Sequence, residues 1–239
     1  MLPLYDDNPR VIVPVITWAI MVACIGIYLY QFPMPEQTML QFLYSYGMVP
    51  AELFGVDQPS GHVYNIAGPP EPVTILTSMF LHAGFLHLAG NMLYLWIFGD
   101  NIEAAMGWFR FIIFYLVCGF AAAMAQAISA PGSAVPMVGA SGAISGVLGA
   151  YLLLYPRASV RVLIFFIPFI QIVRIPAMVV LGLYAVMQIL FAVYSPPSEG
   201  GVAFWAHVGG FVAGMALIPF MKHCHIPMFQ SRLRRGPWG

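Results

Sequence analysis

The run VGASGAISGVLGAYLLLY, residues 138–155, decides how this chain is read. It carries no charge, and as a helix rising 1.5 Å per residue its eighteen residues extend about 27 Å. That is close to the roughly 30 Å hydrocarbon core of a bilayer. Glycines at 142, 146 and 149 lighten it, and small residues let membrane helices approach closely. Ser141 stands near its start, in a medium where polar groups are costly.

Five further apolar runs lie to either side: 11–30, 75–98, 111–128, 175–194 and 202–221. A seventh, 162–173, is bracketed by Arg161 and Arg174. As a helix it would rise only about 18 Å, so it is expected to lie in the interface or against the bundle rather than to cross. The expected fold is therefore all-α: a polytopic membrane protein with a six-helix bundle. Residues 1–10 form a cytoplasmic N-terminus, 11–221 the six-span domain, with an external segment at 31–74, and 222–239 a basic cytoplasmic tail. Composition agrees, being 61% hydrophobic and 8% charged, against roughly 25% charged in soluble domains.

The charges test this layout independently. Arg10, Arg110, Arg157, Arg161, Arg174, Lys222, Arg232, Arg234 and Arg235 all fall on one side of six crossings, and 31–74, 129–137 and 195–201 hold no Lys or Arg. The positive-inside rule then places both termini in the cytoplasm. The 31–74 segment, with Glu36, Glu52, Asp57 and Glu71, is long for a turn, which fits either a functional or a passive external loop. Asp6 and Asp7 before the first run make a poor signal-peptide start, so that run is expected to stay as an anchor. With no transit peptide apparent, the expected location is a plasma (bacterial inner) membrane. A formal net charge of +0 gives no case for a nucleic-acid partner. Cys24, Cys118 and Cys224 are scattered and suggest neither a disulfide framework nor a metal cluster, so no cofactor or metal is expected.

Within the runs, three places hold groups that are functional candidates by default. His87 and Asn91 are four apart and share a helix face. Ser141 opens the fourth run in Gly139-Ala140-Ser141-Gly142-Ala143, and His207 lies in Ala206-His207-Val208-Gly209-Gly210 of the sixth. All three runs point inward, so these groups share a depth in the outer part of the membrane. Gly210 and Gly214 follow His207 on its own face and permit a close approach to the fourth helix. Singly, each has a bland reading: a serine bonded to its own backbone, a packing histidine, an asparagine joining helices. Together at one depth they suggest a site.

These residues resemble the rhomboid intramembrane serine proteases over about residues 75–215. The runs at 139–143 and 206–210 are similar to that family's serine and histidine motifs. His82, His87 and Asn91 match its spacing of two histidines and an asparagine, and Phe98-Gly99, Glu103 and Arg157 match structural positions. The resemblance implies an intramembrane endopeptidase with Ser141 as nucleophile and His207 as base. It also implies an oxyanion held by the Ser141 N–H and the His87 and Asn91 side chains. The expected partners are the lipid bilayer and single-span membrane proteins, cut near the outer face after a small residue where their helix is weak. No Asp or Glu lies in any of the six runs, so no acidic third member is offered.

Two features depart from the family. Some members carry an aromatic residue four after the serine, under the histidine ring; Ser145 stands there. Some carry Trp-Arg before the second span; Val73 and Thr74 stand there. Rival functions fit less well. A catalytically inactive rhomboid-like client binder should lack Ser141 or His207. A transporter calls for inverted repeats or charged pathway residues, and a zinc protease for His-Glu-x-x-His. The hydrolase elbow requires glycine two after the serine, where Ala143 stands.

Overall fold

Apolar backbone in lipid satisfies its own hydrogen bonds, which a helix does within one segment. The computed structural model, which describes residues 2–56, 68–166, 169–195 and 201–230, is accordingly mostly helical. In chain order it has β1 (Leu2–Asp6), α1 (Val15–Gln31), α2 (Glu36–Tyr46), α3 (Pro50–Leu53), α4 (Glu71–Ser78), α5 (Phe85–Met106) and α6 (Trp108–Ser129). There follow α7 (Ser141–Leu154), β2 (Ser159–Phe166), β3 (Phe169–Pro176), α8 (Ala177–Tyr194) and α9 (Phe204–Met221). Among the described residues, α6, α8 and α9 are long and apolar enough to cross a membrane, while α1 and α7 are shorter apolar helices.

The expectation of an all-α fold is corrected by a three-stranded sheet. Residues 162–173 are not helical; they belong to a β2–β3 hairpin pairing Val162 with Val173 and Ser159 with Pro176. β1, within the segment expected to be a plain cytoplasmic terminus, adds a third antiparallel strand with Leu2 opposite Leu163. The reason is a strand's period of two, which turns alternate residues to opposite faces. Val160 and Val162 are fully buried, while Arg161 between them lies over the Tyr5 ring at 4.4 Å.

The run at 75–98 is not one helix either. α4 ends at Ser78, the chain breaks, and Gly84 in extended conformation precedes α5, which continues past Phe98 to Met106. The buried polar groups this adds to α5 find partners. Glu103 accepts bonds from Ile16 N–H at 3.0 Å and from Thr17 N–H and Oγ–H at 2.8 Å. The Ile16 and Thr17 N–H groups belong to the first turn of α1, whose N-cap Pro14 supplies no side-chain cap. Asp100 pairs with Arg10 at 2.8 Å.

The 31–74 segment holds α2, α3 and the start of α4, and is tied down by Met48 and Met137, which exchange backbone bonds of 3.1 and 2.8 Å. Asp57, most of the 195–201 segment, and Arg232, Arg234 and Arg235 lie outside the described residues.

α7 is the buried centre, with every residue from Gly142 to Tyr151 enclosed. It meets α9 backbone to backbone. A methyl on Gly210 would overlap the Gly142 carbonyl, and one on Gly214 the Gly146 carbonyl. Such contacts fix how far apart the helices' side chains stand.

Candidate active site

Three helices begin at one end of the bundle, and each brings a polar group there. Ser141 is the first residue of α7, His207 the fourth of α9, and His87 and Asn91 the third and seventh of α5. Ser141 Oγ lies 2.8 Å from His207 Nε2. Ser141 is partly exposed and His207 buried. All four side chains line one cavity of about 860 Å³ that reaches between α2, α5, α7 and α9. Among the described residues, no Asp, Glu, Lys or Arg lines it. The structure thus brings together Ser141, His207, His87 and Asn91, the four candidate site residues of the sequence.

Gly139 makes the junction possible. Its φ is +124°, a region side chains rarely adopt. A Cβ there would come within 2.6 Å of His87 Cε1 and 3.7 Å of Asn91 Nδ2. Its N–H is held by the Ser78 carbonyl at 2.8 Å, so the chain arrives at Ser141 pressed against both side chains. Asn91 Nδ2 is buried without a hydrogen-bond acceptor among the described residues. The first N–H groups of α7 have no intrahelical acceptor and carry the positive end of the helix dipole. The site therefore offers donors to a negative oxygen next to the serine. His82 is fully buried one step behind, its ring edge-on to His87 with centroids 5.2 Å apart.

His207 is held from α8. Its Nδ1 lies 2.7 Å from Gln188 Oε1, and the Tyr184 ring stands 6.4 Å away at 35°. Ser145 is buried and shares a 2.7 Å bond with the Tyr184 hydroxyl while bonding the Ser141 carbonyl at 2.8 Å. Gln188 was passed over in the sequence. The signal that marks it is its being the sole amide in the apolar run 175–194. Of the two departures before the second span, Thr74 is buried within α4 and Val73 is exposed. Arg157 is exposed in the turn after α7. Among the described residues, no group of three or more His, Cys, Asp or Glu is placed to hold a metal ion.

The chain is similar to known proteins. A family model described as the Rhomboid domain matches residues 69–223. The chain is 35% identical over 143 residues to Rhomboid protease GluP of Bacillus subtilis, covering 60% of this chain and 25% of that protein. It is 33% identical over 100 residues to Rhomboid protein 1, mitochondrial, of Saccharomyces cerevisiae, covering 40% of this chain and 29% of the relative. Inactive rhomboid protein 1 of Drosophila melanogaster is 34% identical over 90 residues, 38% of this chain and 6% of the relative. The chain thus spans less than a third of the length of these relatives.

Proposed function

This chain belongs to the rhomboid family, and we propose that it is an intramembrane serine endopeptidase acting through Ser141 and His207. The observation that carries the reading is the 2.8 Å contact between Ser141 Oγ and His207 Nε2 at the wall of a cavity that Asn91, with its buried Nδ2 lacking an acceptor among the described residues, also lines. His207 Nε2 takes the hydroxyl proton as Ser141 Oγ attacks a substrate carbonyl. The tetrahedral oxyanion sits against the Ser141 N–H, Asn91 Nδ2 and the His87 ring. Its collapse breaks the C–N bond, and the proton on His207 goes to the leaving amine. Water, deprotonated by His207, then hydrolyses the acyl-enzyme and restores the serine. Every step uses groups of this chain, and none needs a cofactor.

In the membrane, α1, α5, α6, α7, α8 and α9 form six crossings. Both termini and the sheet lie on the cytoplasmic side of a plasma membrane, where all the Lys and Arg residues fall. The site then opens toward the outer face. The substrates are single-span membrane proteins that enter from the lipid. A helix hides its carbonyls in backbone bonds, so cleavage occurs where the substrate helix is weakened, near its outer end. The glycine-dense surroundings of Ser141 favour a small residue before the cut.

The test is purified protein in lipid with a tagged single-span substrate. Ser141→Ala and His207→Ala are each expected to abolish cleavage without loss of fold, and the double variant to be no worse than either, since the pair acts as a unit. Cleavage by Ser141→Ala at the wild-type rate sinks the assignment.

A further inference from the structure

Resting on the serine–histidine reading above, we propose that Gln188 is the positioning residue of this site, an uncharged third member that sets the tautomer and aim of His207. A carboxamide oxygen can only accept a hydrogen bond. With Gln188 Oε1 at 2.7 Å, Nδ1 carries the ring proton and donates it. The Nε2 lone pair is then left facing Ser141 Oγ at 2.8 Å. With the amide reversed, its NH₂ would face Nδ1 and force the proton onto Nε2, where it would point at the serine and leave no base. The orientation of one amide therefore decides whether the pair can react.

The other elements around the ring leave this task to α8. From α5 comes His87, which lines the cavity, and from α7 come Ser141 and Ser145. Gln126 of α6 directs its Oε1 to the Ala206 N–H at 3.4 Å. Tyr184 and Gln188 are four apart on α8 and share a face. One brings its ring beside His207 and the other takes its Nδ1–H. The Tyr184 hydroxyl also occupies Ser145, so a side chain from a different helix stands where an aromatic four residues after the serine is lacking. An amide suits the place. Among the described residues the cavity lining has no charged side chain, and a neutral acceptor avoids the desolvation cost of a buried carboxylate.

The experiment measures kcat and KM for Gln188→Met and Gln188→Glu in lipid, with Ser141→Ala alongside, and records the ¹⁵N spectrum of histidine-labelled wild type. Gln188→Met keeps length and loses the acceptor. It is expected to lower kcat about 10–100-fold, the worth of one well-placed bond, with KM within about twofold. Gln188→Glu restores an acceptor oxygen and should recover most of that loss. The wild-type spectrum should give a His207 protonated at Nδ1. Protonation at Nε2 overturns the proposal without reference to any variant. Wild-type kcat in Gln188→Met, with Ser141→Ala inactive, removes Gln188 from its role and leaves the serine–histidine reading standing. A fully active Ser141→Ala removes that reading instead.

Discussion

Asn91 Nδ2 is a buried donor with no acceptor among the described residues. Such a group costs about 1–3 kcal/mol, and that cost is recovered only when something negative arrives. Asn91→Ala should therefore be a slower enzyme with an undiminished melting temperature, its kcat down by about 10²–10³ as for other lost oxyanion donors. Parallel measurement of kcat and thermal unfolding checks this, and an unchanged rate returns Asn91 to a packing role. Ser141, His207, His87 and Asn91 were legible in the sequence because polar groups are conspicuous in apolar runs and all four fell at one depth. Gln188 was equally conspicuous but had no depth argument attached. It lies twelfth in α8 and meets His207 only because α8 runs back alongside α9. Side-chain pairing between helices depends on their rotation, which hydropathy does not encode.

At the scale of elements, run length finds the helices and misses the sheet. Residues 162–173 were measured as a helix too short to cross, when the alternation of buried Val160 and Val162 around Arg161 was the stronger sign. The break before α5 was equally hidden, since hydropathy runs straight through it. Glu103 is what seats α1. Glu103→Ala leaves the Ile16 and Thr17 N–H groups without acceptors and should cost about 2–5 kcal/mol, while Glu103→Gln keeps part of it. Unfolding of each variant in detergent measures the loss, and an unchanged midpoint for Glu103→Ala rejects the capping role. β1 is held by Asp6, which accepts bonds from the Tyr151 hydroxyl and, at 3.1 Å, from Asn101 Nδ2. Burial first, then the nearby Asp100 and Asp7 carboxyls, push Asp6 up to about 7, against the hydrogen bond from Tyr151. The native state thus binds a proton that the unfolded chain releases near pH 4. Stability from this group is complete below about pH 4 and is lost as pH rises toward 7. The stability of wild type relative to Asp6→Asn should fall across that window and level off above it, and a flat difference rejects the assignment.

For the whole molecule, the six crossings proposed above must be reconciled with α7, whose 14 residues rise only about 21 Å. A helix facing lipid at that length would leave polar backbone in hydrocarbon. α7 does not face lipid: its enclosure from Gly142 to Tyr151 puts helices around it, and the loop at 135–140 continues its path within the protein. On the proposed topology a short central helix also sets Ser141 below the outer surface, at the wall of the 860 Å³ cavity. Three crossings, α7, α8 and α9, then separate residue 132 from residue 224, an odd number that puts them on opposite sides. The chain carries its own probe for this. Cys224 is exposed, whereas Cys24 and Cys118 are fully buried. Gly132 is exposed, and a Cβ added there meets nothing within 4 Å. In sealed right-side-out vesicles, a membrane-impermeant maleimide should label Gly132→Cys at once and Cys224 only after permeabilisation. Labelling of Cys224 before permeabilisation would require an even count of crossings between them, and protection of residue 132 would place Ser141 near the wrong face for a substrate cut at its outer end.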